Sequence, residues 1–256
     1  MNIFLLSDLH LETGQDFPDA PPETDVVVLA GDIDKSTLSI SLAFYYRNQI
    51  KKPVIVIAGN HEFYGGDYLR ILSNIRQEAA RDDDIHFLEN DSIQIDDTIF
   101  HGCTLWTNFE LYGRYKRKKM MRTADWAIND FRRIGLNSAA FRPQDALELF
   151  QASYAWLESQ LAKPFSGKTV VVTHFAPHRA AIHSRHSGGD EVTPYFVPDC
   201  SDLIRKYNID LWMYGHTHNS VDAIVEGKTR LVSNQVGYPR EDPEYVRFDP
   251  NKIIVL

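Results

Sequence analysis

Residues Val26 to Asp32 read Val-Val-Val-Leu-Ala-Gly-Asp, five apolar residues running into a glycine and then a carboxylate. An apolar run with no polar alternation has no face to offer to water. It predicts a strand covered on both sides, inside a central sheet. Gly31 permits a sharp turn at its end, and Asp32 falls where a buried strand meets solvent. The pattern recurs, each time ending on a side chain able to bind a metal. Ile3–Leu6 runs to Asp8 and His10, and Val54–Ala58 to Asn60 and His61. Thr169–Thr173 runs to His174, and Asp210–Tyr214 to His216 and His218.

Between these runs, Ser36–Ile50 and Asp67–Ala80 predict helices, the first with Ser36 as its N-cap. Alternating strands and helices predict an α/β core. Short runs at Ile85–Leu88, Ser92–Ile95 and Thr98–His101 predict a hairpin around Asp96 and Asp97. Val221–Val225 and Thr229–Ser233 predict another across Glu226-Gly227-Lys228, and Ile253–Leu256 a final strand. These later, closely spaced strands predict a second sheet packed on the first. Leu105–Lys163 differs, reading as two helices, Arg114–Arg133 and Pro143–Leu161. No linker composition flanks it, so it is expected to be a helical insertion, at about 105–163, within one domain spanning 1–256.

A net charge of −8 gives no global electrostatic case for nucleic-acid binding. The strongest basic run, Arg-Tyr-Lys-Arg-Lys-Lys from Arg114, reads either as a solvated helix face or as a cap over a site. Two cysteines, Cys103 and Cys200, are too few for a disulfide framework. No apolar stretch approaches membrane-spanning length, and the first apolar run is short and lacks a basic leader. A cytoplasmic protein with no membrane partner is expected. Nothing in the pattern sets an oligomeric state.

The strand-end residues define the chemistry. Asp8 with His10, and His216 with His218, are spaced by two, which in an extended segment puts both side chains on one face. Each pair could clasp one ion or reach two adjacent ones. Two Asp, one Asn and four His, besides His61, exceed the three or four protein ligands one zinc takes. They fit two ions sharing the Asp32 carboxylate, about 3.5–4 Å apart. Imidazole, carboxylate and amide together suit manganese, iron, zinc or nickel better than calcium or magnesium. Taken singly, Asp32 reads as a turn residue or cap, Asn60 as a turn residue and each His as a structural one. Five strand ends in matching positions favour the metal reading. His178, His183 and His186 fall in the long loop Ala176–Val197 with Arg179 and Arg185. Among them His178 is the candidate substrate contact, a solvated loop being the other reading. His86 and His101 read as structural. Tyr238 and Arg240, after the last hairpin, carry no direction.

SDLHLE, AGDID, AGNHEFYG, VVTHFAP and YGHTH resemble, in order, the five motif blocks of the calcineurin-like metallophosphoesterases. The resemblance extends from Asp8 to His218 and implies a four-layer α/β/β/α sandwich with a dinuclear site at the sheet edge. It implies that Asp8, His10 and His218 hold one metal, that Asn60, His174 and His216 hold the other, and that Asp32 bridges. His61 would be no ligand. It would approach the phosphate and either protonate the leaving oxygen or stabilise its charge. Glu62 stands where many relatives carry Asp, and would orient His61 or be a surface residue. The implied enzyme is a phosphohydrolase attacking a phosphomonoester or phosphodiester with a hydroxide bridging the ions. Manganese is the expected metal, with iron, zinc or nickel as alternatives. A neutral Asn60 oxygen in place of another carboxylate would ease binding of an anionic substrate. A small phosphorylated molecule is favoured, contacting Asn60, His61 and His178. A nuclease or protein phosphatase is the alternative within the class, and an inactive binding scaffold the alternative outside it.

Overall fold

The computed structural model describes residues 1–182, 189–240 and 247–256. The first half gives β1 (Asn2–Leu6), β2 (Val26–Ala30), α1 (Leu38–Ile50), β3 (Val54–Ile57), α2 (Tyr68–Ala79), β4 (Ile85–Phe87), β5 (Asp91–Ile95) and β6 (Thr98–Cys103). Then come α3 (Arg117–Ala127), α4 (Asp130–Arg133), β7 (Gly135–Leu136), β8 (Ala139–Ala140) and α5 (Pro143–Leu161). The last part gives β9 (Lys168–Thr173), α6 (Thr193–Phe196), α7 (Ser201–Lys206), β10 (Leu211–Met213), β11 (Asp222–Val225), β12 (Thr229–Val232) and β13 (Ile253–Val255).

Alternate residues of a strand face opposite ways, and this parity builds the layers. Val26, Val28 and Ala30 pack with Ile3, Leu5, Ile55, Val170, Val172 and Met213 in a core between two sheets. Val27 and Leu29 turn the other way, into a second core with Ile40, Ala43 and Tyr46 of α1. Val171 and Trp212 do the same on the far side, sharing that core with Leu157 of α5 and Leu203 and Ile204 of α7. The result is helix, sheet, sheet, helix. One sheet has the order β13-β1-β2-β3-β4, the other β11-β12-β10-β9-β6-β5. Both are mixed. β1, β2, β3 and β4 run parallel with β13 antiparallel, while β6, β9, β10 and β12 run parallel with β5 and β11 antiparallel at the edges.

Several local expectations change. The Ile85 run joins the first sheet as its edge, so only β5 and β6 form the hairpin of the second. Ser36 does not cap α1. It sits in a left-handed turn at φ 55°, its N–H donating to the Glu62 carbonyl at 2.8 Å. The expected helix Arg114–Arg133 breaks at Ile128, which turns extended (φ −93°, ψ 133°). β6 and β9 are parallel neighbours, so the chain leaves the second sheet after Cys103 and returns to it at Lys168. Among the described residues, no helix is long and apolar enough to cross a membrane.

Candidate metal centre

The apolar runs end together at one edge of the sandwich. Backbone bonds join neighbouring ends: Asp8 N–H donates to Gly31 O at 3.0 Å, and Gly215 N–H to His174 O at 3.0 Å. A bridge between Ser7 and Gln235 ties the two sheets there. The donor segments are not extended, contrary to the argument from spacing. Asp8, His10, Asp32, His216 and His218 have φ of 54°, 45°, 52°, 73° and 48°. Left-handed turns, each costing about 1–3 kcal/mol for a non-glycine residue, curl the backbone so that the side chains converge. Gly31 shares this conformation at φ 89°, and a β-carbon there would collide with His174. At Gly59 a β-carbon would collide with the Asp32 carboxylate.

Asp8, His10 and His218 bring one donor atom each to within 4.8 Å of one another, and so do Asp32, His174 and His216. His10 Nε2 and His218 Nε2 lie 3.1 Å apart. Asp8 accepts from the His216 backbone N–H at 2.9 Å, which holds its carboxylate in place. His174 Nδ1 donates to Ala30 O at 2.9 Å, which turns Nε2 toward Asn60 Oδ1 at 3.1 Å and Asp32 Oδ1 at 3.4 Å. Asp32 Oδ2 is 3.9 Å from His10 Nε2, so its two oxygens face the two groups. Among the described residues, His216 Nε2 is buried with no hydrogen-bond partner. A buried imidazole nitrogen without a partner is costly unless something binds it. Converging lone pairs, mixed imidazole, carboxylate and amide donors, and one orphaned nitrogen fit transition-metal ions, and the donors suffice for two.

Burial opposes ionisation of Asp32, yet the charges of His174, His61 and His10 outweigh it and hold its carboxyl well below the usual range. Burial likewise lowers His174, but Asp32 draws it up to about 9, so its ring holds a proton near neutral pH that a bound cation would have to displace. Burial together with the neighbouring His174 charge keeps His216 well below an ordinary histidine. A neutral His216 is a competent ligand.

His61 stands beside these groups, its N–H donating to Asp32 Oδ1 at 2.8 Å. Its expected partner, Glu62, does not orient it. Glu62 is fully buried and accepts backbone N–H groups from Gly59, Ile33 and Asp32 at 2.7, 2.9 and 3.0 Å. It pins the turns that carry Asp32 and Asn60. The acid on the His61 ring is Glu12, 2.7 Å from Nδ1. Burial works against the Glu12 charge, but hydrogen bonds to His10 and His61 hold its carboxyl at about 2. The Tyr238 hydroxyl lies 3.0 Å from His61 Nε2, and its ring stacks on His10 with centroids 4.4 Å apart. Asn60 Nδ2 donates to Asp130 at 3.0 Å. Glu12 lies in a segment that reads as loop, and Asp130 in one that reads as unbroken helix. A carboxylate in such a segment carries no local sign of what it touches.

A cavity of about 480 Å³ opens on the donors, lined by Asp32, Asn60, His61, His216 and His218 and by Tyr64, Ile128, Asp130, Tyr195, Phe196 and Tyr238. His178 is not brought to it. Its Nε2 faces Glu226 at 3.4 Å, and its Nδ1 accepts from Ala180 N–H at 3.1 Å. His183, Arg185 and His186 lie outside the described residues. The basic run does not line the cavity either; Arg117 pairs with Glu110 at 2.7 Å, and Lys119 pairs with Glu191.

Two mixed sheets with metal donors gathered along their strand ends define a metal-dependent hydrolase. Residues 1–220 match the calcineurin-like phosphoesterase family model, and the chain belongs to that family; it is a metallophosphoesterase. It is 26 % identical over 269 residues to an uncharacterized protein of Acanthamoeba polyphaga mimivirus, covering 92 % of this chain and 91 % of that one. Its fold is similar to that of a phosphopantetheinyl hydrolase from Mycobacterium tuberculosis (TM-score 0.67, 19 % identity, 93 % and 90 % of the two chains). It is also similar to a dimetal phosphatase from Danio rerio (TM-score 0.59, 13 % identity, 95 % and 90 %).

Proposed function

We propose that the protein hydrolyses a phosphomonoester or phosphodiester of a small molecule at a two-metal site. Asp8, His10 and His218 hold one ion, Asn60, His174 and His216 the other, and Asp32 is shared. The observation that carries this is Asp32 itself, whose two oxygens face His174 Nε2 at 3.4 Å and His10 Nε2 at 3.9 Å. Two bound cations would supply Lewis acidity, acidifying a water near neutral pH and offsetting charge that builds on the phosphate. Manganese is the favoured metal, with iron, zinc or nickel as alternatives. His61 holds or delivers a proton at the leaving oxygen from Nε2, while Glu12 on Nδ1 sets its ring. Tyr238, on that same Nε2, yields it to substrate.

A small substrate is supported by the cavity, whose apolar walls Ile128, Val197 and Phe196 suit an organic alcohol group. The net charge of −8 disfavours nucleic acid, and a protein phosphatase remains the alternative within the family. We place the enzyme in the cytoplasm, a reading supported by Cys103 and Cys200 being buried free thiols.

The test is a screen of phosphate mono- and diesters on metal-free protein, with manganese, nickel, zinc and iron supplied in turn. Phosphopantetheinyl esters belong in it because the Mycobacterium tuberculosis neighbour is named for them. Metal-dependent release of phosphate or of the alcohol from small esters supports the reading. Turnover confined to phosphopeptides or polynucleotides moves it to the alternatives. No turnover with any metal, and less than one ion bound per chain, restores the scaffold.

A further inference from the structure

Asn60 stands on the turn after β3, but its amide is held from outside both sheets. Asp130, in α4, is 70 positions away and 1 % exposed. Its Oδ1 accepts from Asn60 Nδ2 at 3.0 Å and from the Tyr64 hydroxyl at 2.6 Å. Its Oδ2 accepts from the Tyr195 hydroxyl of α6. An amide has a donor end and an acceptor end. With Nδ2 bound to Asp130, Oδ1 has one direction left, toward His174 Nε2 at 3.1 Å. Turned over, the amide would set Oδ1 against carboxylate oxygens and present N–H protons where a cation needs a lone pair.

We infer that Asp130 is a positioning residue that fixes the Asn60 amide so that its oxygen serves the ion of the His174 and His216 group. This rests on the ligand reading above. Tyr195 lies in the 176–197 segment and Asp130 in the 105–163 segment, so one carboxylate ties both to the metal edge. Partners behind metal ligands typically change affinity 10–100-fold.

The test is a calorimetric titration of Mn²⁺ into metal-free protein, with circular dichroism checking the fold. Asp130→Ala is expected to keep one ion and to bind the other about 10–100-fold more weakly. Asn60→Asp sets two carboxylates face to face, and it is expected to lose affinity for the same ion. Adding Asp130→Asn to Asn60→Asp restores a donor–acceptor pair, so the double variant should bind that ion more tightly than Asn60→Asp alone. A merely structural Asp130, or a merely general loss of negative charge, predicts a further weakening. Should Asp130→Ala fail to fold, the isosteric Asp130→Asn replaces it, and a weaker but measurable loss is expected. Wild-type affinity in the Asp130 variant, or no recovery in the double variant, overturns the proposal and leaves the ligand reading standing. Asn60→Ala binding both ions as wild type overturns the ligand reading and the proposal with it.

Discussion

Both donor groups stand at strand ends, on left-handed turns at Asp8, His10, His216 and His218 but on a right-handed one at Asn60, and they differ in what stands behind them. The Asp8, His10 and His218 group is braced by polar contacts, and of its members only His218 keeps solvent exposure while Asp8 and His10 are fully buried. Glu12 lies 3.3 Å from His10 Nδ1, and Gln235 accepts the His218 backbone N–H at 2.6 Å. The His218 side chain keeps 12 % of its surface. In the Asn60, His174 and His216 group, Asn60 and His216 line the cavity and His174 is sealed in the core. His174 is fully buried on the Ala30 carbonyl, and the His216 ring lies against Phe175 and Phe196, with centroids 4.0 and 5.0 Å away. His218 therefore stands at the rim of its group, while His174 is packed as part of the fold. A change at His218 should therefore act on metal and chemistry, and a change at His174 on folding as well.

The largest effect is expected at Asp32, which is proposed to serve both groups. Asp32→Asn should weaken both ions, and activity should fall by more than the roughly 100-fold that loss of a partner behind a ligand can cost. Metal analysis of the purified variant checks it. Retention of one ion at wild-type affinity would mean that Asp32 serves one group only. Next comes His61, which stands beside both groups and in neither of the proposed ligand sets. His61→Ala should keep both ions and lose about 10²–10⁴ in kcat, most with esters whose leaving group is a weak acid. Loss of an ion would make His61 a ligand.

The comparison also explains what the sequence made legible. All seven proposed donors and His61 are found from the ends of apolar runs, because a strand end is a local feature and their order along the chain is itself a pattern. The four layers follow from alternation and from the family resemblance. What stands behind the donors is not local. Asp130 meets Asn60 across 70 residues, and Glu12 meets His61 across 49. Such pairs exist only once the chain has closed. The spacing of two in Asp8 and His10 assumed an extended segment, and their backbone is curled instead. Glu62, adjacent to His61 in sequence, turned out to serve the backbone of three other residues.

A paired substitution tests the rim against the core directly. In metal-free protein, His174→Ala removes a fully buried ring and leaves the Ala30 carbonyl without its donor. That should cost about 2–4 kcal/mol, an unsatisfied buried group plus a cavity. His218→Ala removes a ring at the rim and should cost less than about 1 kcal/mol. Urea midpoints of the two variants give the order. Equal losses would remove the distinction between the two positions.

The smallest effect separates burial from the acidic surroundings of the site. His101 is also a buried histidine, at 4 % exposure, but it lies on β6 away from the donors, with Ser92 Oγ 2.7 Å from its Nδ1. Burial and the nearby Lys163 charge push it down to about 4, whereas His174, beside Asp32, is drawn up to about 9. The sign for His101 follows from which state binds the proton. Above pH 6.5, the ordinary histidine value, the ring is neutral folded and unfolded. As pH falls from there toward about 4, the unfolded chain takes up a proton that the folded protein refuses. Stability is therefore lost through that window, by about 1–3 kcal/mol in total. His101→Gln cannot titrate. The difference between wild-type and variant urea midpoints should narrow or change sign as pH drops from 7 to 5, with the other titrating groups cancelling. A pH-independent difference would mean that His101 titrates alike in both states, and that burial without an acid beside it does not lower a histidine in this fold.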